Sequence, residues 1–318
     1  MVGYRNHAAR LISIVEQSGL ADVKVVYHPR KQPDVPNVTT DFGALTSQDA
    51  VIIASPNASH YEYLTRLSRD FDGYVLCEKP PVSTIAELDA LDLDPARFLF
   101  NFNFRYSRLV DVIVESLGDG RLGSPLYMNA TVCQGLAFKQ GYADSWRADA
   151  ARHLHGVTET KAIHYVDMAR VSFGAIGHHQ YAPALVSGHG SAFDTSHLWL
   201  SHENGTITNL FMSYAAPAVT QVTVVGTNGV VEYRDDAITV RTPRDTFDER
   251  GYFVTPPLAY HHDYHGRNGD MYWESLERAV AHFLTHCRDG KPFAASDYHD
   301  SLATNRFILE LAGGTTND

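Results

Sequence analysis

With 318 residues, 44% of them hydrophobic and 20% charged, the chain has room for two domains with substantial cores and the composition of an ordinary water-soluble protein. A net charge of −11 without a basic stripe argues against a nucleic-acid or anionic-membrane surface, and no apolar run is long enough to span a bilayer. Cys77, Cys133 and Cys287 lie far apart without metal-type spacing, and no leader precedes the fold, so a cytoplasmic protein is expected.

Gly3-Tyr4-Arg5-Asn6-His7-Ala8 stands in the register Gly-x-Gly-x-x-Gly/Ala and runs into a predicted helix with Ala8, Leu11, Ile12 and Val15 on one face. Gly3, Arg5 and Asn6 are therefore candidate phosphate-loop residues. Arg5 replaces the glycine that ordinarily lets backbone approach a pyrophosphate. Only Met1 and Val2 precede Gly3, so the first strand is a stub: either the sheet accepts a very short central strand or residues have been lost before it. The second predicted strand, Val23–Tyr27, ends at His28-Pro29-Arg30-Lys31 and lacks the acid that holds an adenosine ribose. Cations in place of that acid favour a 2′-phosphate, hence NADP over NAD, with His28 and Arg30 as ligands. Solvated loop charges are the bland alternative.

Three apolar runs follow, each stopping at polar residues as fully covered parallel strands do. Ala50–Ala54 ends in Ser55-Pro56-Asn57 with His60 three residues on, Tyr74–Cys77 in Glu78-Lys79-Pro80, and Phe98–Phe104 in Arg105-Tyr106. Ligands bind outside the carboxyl ends of parallel strands, so these endings are expected to line one crevice. Thr84-x-x-Glu87 is a capping box, and Leu109, Val110, Ile113, Val114 and Leu117 mark a connecting helix. From Pro125 the pattern changes to an extended segment, a polar aromatic-rich loop over 138–152, a helix from about Thr158 to Ser172, and then predicted antiparallel strands at 198–202, 206–211, 222–225 and 230–233. Asn204-Gly205 and Asn228-Gly229 supply hairpin turns. Two amphipathic helices close the chain.

Ser55-Pro56-Asn57-x-x-His60 followed by Glu78-Lys79-Pro80, each closing a strand, resembles the glucose–fructose oxidoreductase and inositol dehydrogenase (Gfo/Idh/MocA) family. The resemblance implies a Rossmann-type parallel domain over 1–104 and a substrate-binding and oligomerisation domain over 105–318, built on a large, mostly antiparallel open sheet that pairs subunits into a homodimer or homotetramer. It also implies a cis peptide before Pro80 and bound NAD or NADP, with Gly3, Arg5, Asn6, His28, Arg30, Ser55, Pro56, Asn57, His60, Glu78 and Lys79 facing the cofactor.

Lys79, at a strand's carboxyl end, suits the oxygen of a reacting hydroxyl, whose developing charge an ammonium stabilises. In the family pattern Gly-Gly-x-x-x-Asp-x-Gly-x-His-x-x-Asp, His164 and Asp167 match, which implies that His164 is the general acid/base. Thr160 replaces the pattern's first aspartate and removes a charge that would steady an imidazolium. Arg105, Tyr106, Trp146, Arg152, His155, Thr160 and Lys161 are the candidate substrate residues, and their cations and aromatics suit a sugar carrying a carboxylate or diphosphate; Arg147 stands among them. Tyr260-His261-His262-Asp263-Tyr264-His265 lacks the i, i+4 histidine spacing of a helical metal site; a polar loop over the cleft, without metal, is expected. The expectation is an NAD(P)-dependent oxidoreductase acting on a secondary hydroxyl or ketone of a sugar, nucleotide sugar or cyclitol. The alternatives are a cofactor-recycling non-redox enzyme of the glycosidase or epimerase kind, and a non-catalytic relative that has lost its dinucleotide.

Overall fold

The computed structural model describes residues 1–30, 36–153, 155–264 and 270–313; Lys31 and His265 fall outside them. The chain divides into two compact units, one of Met1–Asn103 with Leu276–Gly313, the other of Phe104–Ser275.

The first unit is organised on parallel strands β1 (Val26–Tyr27), β2 (Val38–Thr39), β3 (Ala50–Ile53), β4 (Tyr74–Glu78) and β5 (Phe98–Asn101). Val2 joins β1 to β3, bridging Tyr27 on one side and Ile53 on the other in parallel. Its N–H donates to Ile52 and its carbonyl accepts from Ala54. The short first strand is thus a single residue with sheet neighbours on both sides, and the order β2-β1-Val2-β3-β4-β5 follows. Val51, Ile53, Val75, Leu76, Cys77, Phe98, Leu99 and Phe100 are buried, as a sheet covered on both faces requires. The helix Asn6–Ser18 covers part of it with Ala8, Leu11, Ile14 and Val15; Ile14 takes the place expected for Ile12, which is only half-buried. The capping box at Thr84 and Glu87 forms.

The two closing helices, Met271–Asp289 and Ala295–Gly313, differ from the division expected at residue 104, for residues 276–313 return to the first unit. The reason lies in the exposed apolar flank that a parallel sheet otherwise presents. Tyr298 packs on Phe100 with ring centroids 5.6 Å apart, and Asn305 accepts from the buried Val82 N–H at 3.1 Å.

The second unit carries β6 (Pro125–Cys133), β7 (Ile176–Ala184), β8 (Thr195–His202), β9 (Ile207–Ser213), β10 (Val219–Gly226), β11 (Val230–Arg234), β12 (Ala237–Arg241) and β13 (Leu258–Asp263). They form one eight-stranded sheet in the order β13-β12-β11-β10-β6-β9-β8-β7, antiparallel throughout except for β6 beside β9. Alternate residues such as Met128, Ala130, Leu198, Leu200, Leu210, Met212, Val222, Val224, Val231, Ile238 and Val240 are buried, giving the sheet one core face. The helices Arg108–Gly118 and Ile163–Phe173 pack with each other and with β11 and β6 respectively. The tract expected as a polar loop, Tyr260–His265, is instead largely edge strand: Leu258–Asp263 pairs with β12. Its Tyr260, His262 and Tyr264 are half-buried between exposed His261 and Asp263, and that alternation of period two is what an edge strand shows and a loop reading overlooks.

Candidate functional site

In the first unit, Gly3 has φ +90°, and a Cβ there would meet the Ala54 carbonyl oxygen at 2.9 Å. The loop can pass this close to β3 only as glycine. Arg5 occupies the N-cap of the helix Asn6–Ser18 with extended backbone, no side-chain cap and no acid in the first turn. The first-turn N–H groups of a helix have no partners within it, and they carry the positive end of its dipole. Arg5 and Asn6 are exposed, so the side chain in the place of the second motif glycine turns outward to solvent. A glycine cradle and an uncapped helix start with no acid in its own first turn fit the diphosphate of a dinucleotide.

Glu78, at the end of β4, is buried and accepts from Asn101 Nδ2 at 2.6 Å. Its Oε1 lies 2.8 Å from Nε2 of His7, in the first turn of the helix Asn6–Ser18. Burial pushes the Glu78 carboxyl up, but the His7 charge and the bonds from His7 and Asn101 outweigh it and hold the group below its ordinary 4.5. Glu78 in turn raises His7 above 6.5, with burial opposing. Next along the chain, Lys79 is half-buried and the Lys79–Pro80 peptide is cis. His60 is fully buried between the two strand endings: Nδ1 lies 2.8 Å from Pro80 O and Nε2 3.0 Å from Ser55 O. Burial lowers its pKa despite both carbonyls, and the neutral ring has one N–H to donate, most directly to the nearer Pro80. His60 therefore holds Pro80 by a hydrogen bond and packs against Ser55. Ser55 also accepts from the Ser59 hydroxyl at 2.8 Å, Pro56 is exposed, and Asn57 opens a one-turn 3₁₀ helix. His28 accepts from the Arg30 N–H at 3.3 Å, and the Arg30 side chain is exposed.

The His7–Glu78 pair carries a pH signature with a definite sign. The contribution of His7 is complete below its unfolded value, ordinarily 6.5, and fades as pH rises through the higher folded value. That of Glu78 is complete above its unfolded value, ordinarily 4.5, and fades as pH falls through the lower folded one. The melting-temperature difference between wild type and His7→Gln should therefore peak between about pH 4.5 and 6.5 and shrink on both sides. A difference that does not vary with pH in scanning fluorimetry would show that the two groups are not coupled.

In the second unit, the polar side chains gather around a π-helical turn, Thr158–Ala162, that runs straight into the helix Ile163–Phe173. His164 is buried, its ring 4.7 Å from that of Phe104. One turn on, Asp167 accepts two bonds from Arg105, at 2.7 Å from Nε and 2.6 Å from Nη2. Thr160 donates to the Gly156 carbonyl at 2.7 Å and lies 2.6 Å from the Tyr214 hydroxyl. His155 is buried, with Nδ1 2.8 Å from the Tyr181 hydroxyl. Trp146 lies under the Arg147 guanidinium at 4.2 Å and beside His153. Arg152 is exposed and paired with Asp149 at 3.1 Å, while Tyr106 and Lys161 are half-buried. The structure thus gathers His7, Ser55, His60, Glu78 and Asn101 in one unit, and Arg147, Thr160 and Tyr214 in the other. Sequence reading missed His7, Asn101, Tyr181 and Tyr214. Only His7 left a signal, as a titratable side chain inside the glycine motif. Among the described residues no three metal-ligating side chains converge, and no helix is long and apolar enough to cross a membrane.

A parallel sheet with a glycine loop at its centre, feeding an uncapped helix, defines a dinucleotide-binding protein of Rossmann type. The chain belongs to the Gfo/Idh/MocA family: residues 3–93 match the oxidoreductase family's NAD-binding Rossmann fold, and 112–232 match the GFO/IDH/MocA C-terminal domain. A D-apiose dehydrogenase of Paraburkholderia graminis is 24% identical over 249 residues, 75% of this chain and 62% of that protein. A D-xylose 1-dehydrogenase [NADP(+)] of Haloarcula marismortui is 26% identical over 34% of this chain and 31% of its own length. The matches thus span less than two thirds of either relative. The structure of a levoglucosan dehydrogenase in complex with NADH and levoglucosan superposes with a TM-score of 0.76 at 18% identity, covering 99% of this chain and 96% of that one; at that identity the likeness is one of fold.

Proposed function

We propose that this protein is an NAD(P)-dependent oxidoreductase that interconverts a secondary hydroxyl and a ketone on a sugar or sugar-derived substrate. The observation that carries the reading is the ending of β4. A buried Glu78 bound to His7 and Asn101, with His60 against Pro80 two residues on, fixes a turn that presents the half-buried Lys79 at the carboxyl end of a parallel strand, where ligands of such sheets bind. The two dehydrogenase relatives support a sugar. A bound nicotinamide would supply the hydride acceptor. The chain's own groups do the rest: Lys79 donates a hydrogen bond to the reacting oxygen and stabilises its growing negative charge. His164 takes the hydroxyl proton, and in reduction returns it. Thr160, tied to Tyr214, orients without adding charge. Arg30 at the end of β1 favours the 2′-phosphate of NADP, and the sheet of the second unit pairs subunits into a dimer or tetramer.

Calorimetry with NAD, NADH, NADP and NADPH tests the reading directly. We expect at least one to bind, NADP(H) more tightly, and Arg5→Gly to shift the affinity by less than about tenfold because Arg5 points to solvent. If the wild type binds none while the glycine variant binds one, Arg5 plugs the site and the oxidoreductase reading fails. With an active sugar in hand, His164→Ala should flatten the limb of the pH–rate profile set by the general base.

A further inference from the structure

The second unit holds a cation whose surroundings do not account for it. Lys161 sits in the π-helical turn, largely withdrawn from solvent, and among the described residues its ammonium makes no hydrogen bond and no ion pair. Among the described residues its charged neighbours are Arg147, of the same sign, and Asp270, whose Oδ1 also accepts from the Trp273 N–H at 2.9 Å. Burial first and Arg147 second lower the Lys161 pKa to about 8, against a partial pull from Asp270. Arg147 in turn is held in place, stacked on Trp146 at 4.2 Å and hydrogen-bonded to the Tyr214 hydroxyl, which meets Thr160.

A half-buried cation that makes no direct bond is costly, and one placed beside a second cation is costlier still. A packing role at this position would be served better by Met or Leu, which carry no such penalty. The arrangement becomes favourable when an anion arrives, because the same two groups then share one negative charge through charge-assisted hydrogen bonds. Lys161 precedes His164 by three residues of continuous helix, an axial rise of no more than about 5 Å. An anion held at Lys161 would therefore lie within one substrate's length of the proposed acid/base. We propose that Lys161 and Arg147 form an anion subsite that selects a sugar-derived substrate bearing a carboxylate or a phosphate. This deepens the oxidoreductase reading and, as a statement about substrate, rests on it.

Binding rather than turnover is the measurement that keeps the two ideas separable. Calorimetry on the intact protein would use D-glucuronate, D-glucose 6-phosphate and neutral D-glucose, with wild type, Lys161→Met, Lys161→Arg and Arg147→Met. The wild type is expected to bind one of the charged sugars at least tenfold more tightly than glucose, and which one it prefers separates carboxylate from phosphate. Lys161→Met and Arg147→Met should each cut that preference at least tenfold, whereas Lys161→Arg should keep most of it. Glucose bound as tightly as both acids, no binding of either acid, or an undiminished preference in Lys161→Met would overturn the subsite. Charge-selective binding in a protein that takes up no nicotinamide cofactor would leave the subsite standing and sink the oxidoreductase. Turnover of neutral sugars alone would do the reverse.

Discussion

Lys79→Ala is expected to lower kcat by about 10²- to 10⁴-fold, the range over which a positioned proton donor or oxyanion partner acts, while the melting temperature stays within a few degrees of wild type. The asymmetry follows from where the residue sits. Lys79 is half-buried just beyond the last residue of β4, and its neighbour Glu78 is tied to His7 and Asn101. The backbone of the turn is fixed from the other side by the His60 contact to Pro80. The turn therefore keeps these holds when the ammonium is removed. Cofactor affinity should change far less than kcat, since the glycine loop and the helix Asn6–Ser18 are untouched. A correctly folded alanine variant that turns over at the wild-type rate would remove Lys79 from the mechanism. Lys79→Arg separates charge from geometry: the planar guanidinium keeps the charge but places its donors differently, so only partial recovery is expected.

Local signals in this sequence are read well where chemistry is concentrated in a short stretch. Each parallel strand announces itself by an apolar run that stops at polar residues, and the endings Ser55-Pro56-Asn57 and Glu78-Lys79-Pro80 identify the fold because buried parallel strands offer few such exits. The hairpin turns at Asn204-Gly205 and Asn228-Gly229 lie between β8 and β9 and between β10 and β11. What escaped depends on contacts distant in the chain. The last strand of the first unit was expected to run to Phe104, but it stops at Asn101 and a 3₁₀ turn, Asn103–Tyr106, takes over; aromatic residues alone do not separate these. The one-residue strand at Val2 has no periodicity to detect, because both its partners come from elsewhere in the chain. His7 reads as a filler in a glycine motif until Glu78, 71 positions on, comes to 2.8 Å. Strands β7, β12 and β13 lie toward the edges of their sheet, where one-sided packing weakens the hydrophobic signal. Tyr214 is hidden for the same reason as His7: its value lies in Thr160 and Arg147, which only the folded second unit supplies.

Arg105 makes the sharpest contrast between a cation read as a substrate residue and one already committed. Its guanidinium binds Asp167 through both Nε and Nη2 at 2.7 and 2.6 Å, with side-chain exposures of 7% and 1%. Both groups have given up water, so the pair must be kept or lost whole. Asp167→Ala takes two bonds from a buried guanidinium and Arg105→Met takes the same two from a buried carboxylate. Each is expected to cost about 3–5 kcal/mol, which for a unit of this size lowers the melting temperature by roughly 10 °C. Replacing both at once, Arg105→Met with Asp167→Leu, should recover much of that loss, because apolar groups of similar volume carry no desolvation penalty. The double variant also separates structure from recognition. If Arg105 serves only Asp167, the preference between D-glucuronate and D-glucose should survive in the stable double variant, although the same preference disappears in Lys161→Met. Single variants that each lose less than about 1 kcal/mol, or a double variant no more stable than either single, would show that the pair carries little of the stability. A charge preference that vanished with Arg105 in a fully folded double variant would place the guanidinium with the substrate instead, and move the anion subsite from Lys161 to the level of Asp167, nearly two helical turns along.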